Sequence, residues 1–130
     1  MSLRVEPDLL RRAEQGPVTA GELADCVRTS LPYAYGMIAD LAGRLEGTAA
    51  DFADNQTPPP DEQARGQLLR AMASDAIRGA LEERFGVKLA FQNCHRVAAF
   101  RPERAGGRQH REFVSARGQI LNQHPELVDC

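Results

Sequence analysis

The sequence predicts an α+β fold in which N-terminal helices, one of them long, pack on a C-terminal antiparallel sheet of three or four strands. Three observations support this prediction. Apolar residues recur every three or four positions as far as Phe85, they alternate with a period of two after Gly86, and turn-forming residues separate the later apolar runs. Because helices precede strands, we expect a helical layer on one face of the sheet.

The first half of the chain carries the start and stop signals of three helices. Residues 7–16 begin with proline and end with glycine, the usual asymmetry of a short helix. Thr19 and Glu22 have the spacing of a capping box, in which each side chain accepts a hydrogen bond from a free backbone amide. Ser30 is expected to cap a third helix, and Gly47 is expected to end it.

The second half changes its period at Gly86. Residues 47–60 have no period and finish in three prolines, which predicts a surface connection. Residues 61–85 carry a continuous apolar stripe, which predicts one helix about 35 Å long. The alternating residues 87–92, followed by the runs RVAAF, EFVSA and GQILN, are interpreted as successive strands of an antiparallel meander.

Length and composition favour a single α+β domain spanning residues 1–130, because a chain of this size buries a core without metal or disulfides. The sequence shows neither a basic-then-apolar leader nor an apolar run of about 18 residues, so we expect a soluble, untargeted, cytoplasmic protein with no membrane partner. Cys26, Cys94 and Cys130 are an odd number without CxxC spacing, which favours free thiols.

Charge is distributed unevenly along the chain. The first 64 residues hold five arginines against eleven acidic residues, whereas the remainder holds ten arginines and one lysine against seven acidic residues. Two helices in the first half have the outline of a helix-turn-helix, but acidic helices read DNA poorly because phosphate contacts supply most of the affinity. We therefore do not expect nucleic acid as a partner.

The stretch FQNCHRV places Cys94, His95 and Arg96 together as candidate catalytic residues. A thiolate is the reactive form of cysteine, and neighbouring His⁺ and Arg stabilise it. Successive residues of a strand point to opposite faces, however, so Cys94 and His95 can pair only if a turn interrupts the strand. Burial would instead raise the pKa of the thiol and make Cys94 a structural residue.

Two pieces of the sequence resemble the alkylated-DNA cysteine alkyltransferase family. The residues NCHRV are similar to the family's PCHRV active-site motif, and VTAGELA at residues 18–24 is similar to its T-x-x-G-E-L-A helix start. The resemblance implies that Cys94 accepts the alkyl group, that His95 relays its proton and that Arg78 contacts DNA. Asn93 stands where the motif has proline, and the two pieces lie farther apart than in that family.

A second candidate site is the basic loop RPERAGGRQHR, in which Arg101, Arg104, Arg108 and Arg111 surround two glycines. Guanidinium groups match the geometry of phosphate and carboxylate, so the loop is a candidate anion-binding site. The histidines and cysteines lack the spacings that prearrange a metal site, so no metal and no cofactor are expected.

No complete catalytic arrangement can be assembled from these residues. The favoured function is therefore a non-catalytic module that binds a small molecule or another protein, acting as a homodimer or through that partner. The alternatives are a thiol-dependent enzyme that uses Cys94 with His95, and an anion or nucleic-acid binder that uses the arginine loop 101–111.

Overall fold

A computed structural model of the chain describes residues 2–123 and confirms the α+β class. The helices are α1 (Pro7–Gln15), α2 (Ala20–Ser30), α3 (Pro32–Glu46), α4 (Glu62–Ala73), α5 (Asp75–Phe85), α6 (Arg108–Phe113) and α7 (Ala116–Leu121). The strands are β1 (Phe52–Asp54), β2 (Lys88–Gln92) and β3 (Arg96–Phe100). Within the described residues, none of the helices has the length and apolar character needed to cross a membrane.

The three strands form an antiparallel sheet in the order β1-β3-β2, with β3 in the centre. Phe91 is paired with Val97 across the β2–β3 hairpin. The turn of this hairpin places Asn93 and Cys94 in the left-handed region, at φ 54° and 62°. Positive φ is uncommon for side chains other than Asn, Asp and Gly, so this turn is an unusual position for cysteine.

Opposite faces of the sheet carry different environments because side chains alternate along each strand. Val97 and Ala99 of β3 face the larger core, which is built mainly by α2, α3, α4 and α5. Ala98 and Phe100 face the other way and pack with Phe113 of α6. The predicted helical layer on one face is therefore joined by a short helix on the second face.

The predicted long helix over residues 61–85 is two helices. Ser74 interrupts the helix with an extended backbone, at φ −98° and ψ 117°, and its hydroxyl accepts a hydrogen bond from the amide of Ile77 at 3.2 Å. Arg78 secures the junction by donating to the carbonyl of Met72 at 2.9 Å. A serine that caps a following helix can thus break a stripe whose apolar periodicity continues through it.

The predicted surface connection over residues 47–60 contains β1. Its pairing with β3 is extended at one end by Arg101, whose amide donates to the carbonyl of Asp51 at 3.1 Å. At the other end the amide of Asn55 donates to the carbonyl of Val97 at 3.2 Å. Three residues are too few to show an alternating pattern, which is why this strand is not predicted from the sequence.

The runs EFVSA and GQILN were expected as strands, and the structure instead places them at the end of α6 and in α7. Ser115 caps α7 by accepting a hydrogen bond from the amide of Gly118 at 2.9 Å. The predicted cap at Ser30 is also wrong, because Ser30 is the last residue of α2, and α3 begins at Pro32 after Leu31 with no side-chain cap. Short apolar runs do not distinguish strands from short helices.

Arg84 connects α5 to α2 by two hydrogen bonds and to α3 by one. Its guanidinium donates to the carboxylate of Asp25 at 2.8 Å, to the hydroxyl of Tyr35 at 3.2 Å and to the carbonyl of Gly21 at 3.1 Å. The hydrogen bond from Arg84 lowers the pKa of Asp25 below its ordinary value of 3.8.

We expect replacement of Asp25 by Asn to lower the melting temperature at pH 7, and we expect this difference to shrink as the pH falls through the folded-state pKa of Asp25. A carboxylate with a lowered folded-state pKa stabilises the fold above its unfolded-state pKa, and this stabilisation is lost as pH falls through the folded-state value. Thermal unfolding of both proteins between pH 2.5 and 7 measures this difference. A difference in melting temperature that stays constant across that range would contradict the assignment.

Gly118 provides a test of how α7 packs on α6. A methyl group at Gly118 would lie 2.3 Å from the carbonyl oxygen of Glu112, whereas one at Gly36 in α3 would meet nothing within 4 Å. We expect Gly118→Ala to reduce hydrogen-exchange protection across α7, because the backbone must shift. Gly36→Ala is the control and should raise stability by up to about 1 kcal/mol. Unchanged protection in Gly118→Ala would show that this close approach is wrong.

Candidate functional site

The structure places Cys94, His95 and Arg96 at the turn between β2 and β3 and at the start of β3. Cys94 is half-buried, and its sulfur is disulfide-bonded, which differs from the free thiol expected from the sequence. A sulfur in a disulfide is not a nucleophilic thiolate. The turn needed to bring Cys94 and His95 together exists, but the structure does not present Cys94 as an activated thiol.

His95 is buried and takes part in holding the turn. Its Nδ1 lies within hydrogen-bonding reach of the carbonyl of Asn93. Its own carbonyl accepts a hydrogen bond from the side-chain amide of Asn55 at 2.7 Å. The same Asn55 side chain accepts a hydrogen bond from the amide of Val97 at 2.6 Å. These contacts are those of a residue that fixes the backbone.

Arg96 points to the second face of the sheet, away from the larger core. Its guanidinium forms an ion pair with the buried carboxylate of Asp54, with Nε 2.8 Å from Oδ2. It also lies over the ring of Phe113, with the guanidinium carbon 5.5 Å from the ring centre. The amide oxygen of Gln92 accepts a further hydrogen bond from it at 3.5 Å. Arg96 is thus held in one orientation by three neighbours.

The four arginines of the predicted basic loop separate into two groups. Arg101 binds carbonyl oxygens of Leu45, Thr48 and Ala50 at 2.5 to 2.7 Å, so it fixes the segment between α3 and β1. Arg111 donates to the carbonyl of Gly106 at 3.1 Å. Both guanidinium groups therefore bind backbone carbonyls, Arg101 through three hydrogen bonds and Arg111 through one.

Arg104 and Arg108 instead line a cavity of about 640 Å³, together with Arg96. This cavity lies between the second face of the sheet and α6 and α7, and we name it the α6 cavity. The other residues that line it are Asp51, Phe52, Gln92, Gly107, Gln109, Glu112, Phe113, Gly118 and Asn122. Its size lies within the range of small-molecule sites.

Charges in the α6 cavity are only partly matched. Arg104 is paired with Asp51, Nε to Oδ1, at 3.0 Å, and Glu112 is paired with Arg117. Among the described residues the guanidinium of Arg108 makes no hydrogen bond or ion pair. The described residues of the lining thus carry three guanidinium groups against two carboxylates, and Arg108 has its hydrogen-bond donors available.

The sequence indicated only the arginines of this cavity. Asp51 and Phe52 belonged to the predicted loop, while Phe113 belonged to a predicted strand. No motif connects these positions, which lie in three separate parts of the chain. The alternation of β2 could have shown that Gln92 shares a face with Ala90, but a buried glutamine has no sequence pattern of its own.

No group of three or more His, Cys, Asp or Glu residues that could hold a metal ion occurs in residues 2–123. His110, one of the scattered histidines, accepts a hydrogen bond from the amide of Gly106 at 3.0 Å and packs edge-on against Phe100. His124 and Cys130 lie outside the described residues. His110 thus stabilises the turn before α6.

The fold and the cavity define an α+β domain with a sheet covered on both faces and an arginine-lined pocket beside its second face. The chain belongs to the family KH_NucS_shadow, described as NucS shadow ORF, whose model matches residues 1–130. No curated protein and no solved structure matched the chain. The comparisons therefore lend no support to the resemblance to the cysteine alkyltransferases. Arg78, which that resemblance implies as a DNA contact, lies at the α4–α5 junction.

We expect Asp54→Asn to lower the free energy of unfolding by about 1–3 kcal/mol, because it leaves a guanidinium that is only one-third exposed without its charged partner. Asp51→Asn is the matched control. Its partner Arg104 has a side chain that is 59% exposed, so a loss within about 0.5 kcal/mol is expected. Urea denaturation measures both, and equal small losses would show that the Asp54–Arg96 pair contributes little.

Proposed function

We propose that this domain is a non-catalytic ligand-binding module whose α6 cavity takes a small molecule carrying a phosphate or carboxylate. The proposal depends on Arg108, whose guanidinium makes no hydrogen bond or ion pair among the described residues and can therefore donate to a ligand. A guanidinium presents several N–H donors in a fixed plane, and it matches the oxygen atoms of these two anions. Arg104 lines the same cavity and can join Arg108 if its bond to Asp51 is exchanged for one to the ligand.

Catalysis is not part of the proposal, because the groups around the cavity are arranged for binding. Arg96 is held by Asp54, Gln92 and Phe113, and the nitrogen of Gln92 donates to the carbonyl of Phe113 at 2.8 Å. Among residues 2–123, no histidine or cysteine lines the cavity. A nucleophile paired with a general base, which covalent catalysis requires, is not supplied by the lining residues.

A second candidate function is nucleic-acid binding, which the letters KH in the family name suggest. KH is also the name of a module that clamps nucleotide backbones with a GXXG loop. None of the eleven glycines in this sequence is followed by another glycine three positions later. Because the expected clamp is absent and the first half of the chain is acidic, we favour the small anion over a nucleic acid.

The binding test titrates the full chain with inorganic phosphate or acetate at low salt. Changes in the NMR chemical shifts of the protein measure the affinity for each anion. We expect Arg108→Ala to weaken binding about tenfold or more, because a hydrogen bond to a charged group contributes about 1.5–3 kcal/mol. Asp51→Asn should strengthen binding, since it removes the carboxylate that competes for Arg104. Addition of salt should weaken binding by screening.

Arg11→Ala is the matched control, because it makes the same charge change on α1, which has no buried residues. This variant should bind as the unchanged protein does. Equal losses in Arg11→Ala and Arg108→Ala would indicate a general charge effect and remove the α6 cavity as the site. Tight binding of a single-stranded RNA at 0.15 M salt, with weak binding of both small anions, would favour the second candidate.

The homodimer expected from the sequence stays a prediction. Sedimentation at high micromolar concentration measures the oligomeric state directly.

A further inference from the structure

The α6 cavity has an aromatic wall as well as charged groups. Phe52 of β1 is half-buried and stacks on the fully buried Phe100, with ring centres 5.0 Å apart and an angle of 20° between the rings. Phe100 is itself supported edge-on by His110 at 4.9 Å and by Phe113 at 6.0 Å. Phe52 is therefore a supported ring, covered by Phe100 and bordering the cavity.

A second flat group borders the same space. The guanidinium of Arg96 lies over Phe113, and its bonds to Asp54 and Gln92 restrict its rotation. Flat groups of this kind stack favourably on aromatic ligands, and guanidinium adds a cation–π attraction. The cavity therefore combines stacking surfaces at Phe52 and Arg96 with the open donors of Arg108.

We infer that the ligand of the α6 cavity is an aromatic anion, a small molecule in which a planar ring carries a phosphate or carboxylate. The ring stacks on Phe52, and the anionic group accepts hydrogen bonds from Arg108. This inference rests on the proposed function and narrows its ligand class. A simple anion would satisfy Arg108 but would leave the ring of Phe52 in contact with water, so part of the favourable surface would be unused.

The experiment compares phenyl phosphate, inorganic phosphate and phenol by isothermal titration with the full chain. Phenyl phosphate is expected to bind about threefold to tenfold more tightly than inorganic phosphate, the gain corresponding to one aromatic stacking contact. Phenol lacks the anionic group and should bind far more weakly than phenyl phosphate. Arg108→Ala should weaken the binding of both phosphates.

Phe52→Leu separates the ring contact from the anion contact. This variant should remove the preference for phenyl phosphate and keep the affinity for inorganic phosphate. Phe91→Leu is the matched control, because Phe91 is also half-buried but packs with the larger core on the other face of the sheet. The preference should survive in Phe91→Leu. If Phe52→Leu does not fold, ring-proton shifts of Phe52 in the unchanged protein, seen with phenyl phosphate but not with inorganic phosphate, test the same contact.

The two proposals fail in different ways. Equal affinity for phenyl phosphate and inorganic phosphate, with both lost in Arg108→Ala, would overturn the aromatic ligand and leave the anion site intact. A preference that persists in Phe52→Leu would also overturn it, as would Phe52 ring protons that do not respond to phenyl phosphate. Absence of any binding that depends on Arg108 would overturn both proposals.

Discussion

The complete burial of four residues of β3, Val97 to Phe100, is the constraint on which the rest of the structure depends. Residues 97–100 of this strand are 0% exposed, so each of their backbone polar groups needs a partner within the protein. The strands β1 and β2 supply these partners on either side, and the side chain of Asn55 continues the pairing where β1 ends. Burial on both faces then requires apolar cover on both sides, which the larger helical core and α6 provide. The short strand β1 and the short helix α6 are both consequences of this central position.

The candidate site follows from the alternation of side chains along the same sheet. One set of residues faces the larger core, and the other set faces α6, so Phe52, Asp54, Gln92 and Arg96 lie together on the second face. Buried polar groups are costly unless they are paired, and no buried side-chain nitrogen or oxygen among the described residues lacks a hydrogen-bond partner. The polar end of this face is therefore an ordered network with an open cavity beside it. Order of this kind favours binding, because little conformational entropy is lost when a ligand enters.

Family membership gives the chain a place among related sequences and leaves the activity open, since the description NucS shadow ORF states no activity. The function has to be inferred from the site, because one fold serves many functions. The arginines show why residue type alone is a weak guide. Arg101 and Arg111 bind backbone carbonyls, Arg96 is held by a buried carboxylate, and Arg108 has its donors available. Only their surroundings distinguish a structural guanidinium from one that can meet a ligand.

The sequence by itself determined the features that depend on neighbouring residues. The α+β class, the proline start and glycine end of α1, the capping box of Thr19 and Glu22 and the hairpin strands are all local, because periodicity and capping act within a few positions. The tertiary structure decided the break at Ser74, the pairing of β1, the helical state of residues 108–113 and 116–121 and the meeting of Phe52 with Arg96 and Arg108. These features depend on contacts between distant segments, where a three-residue strand is stabilised by its partner and a short helix by the surface it covers. Local propensity is too weak to specify such segments, so the cavity emerges only when the chain is folded.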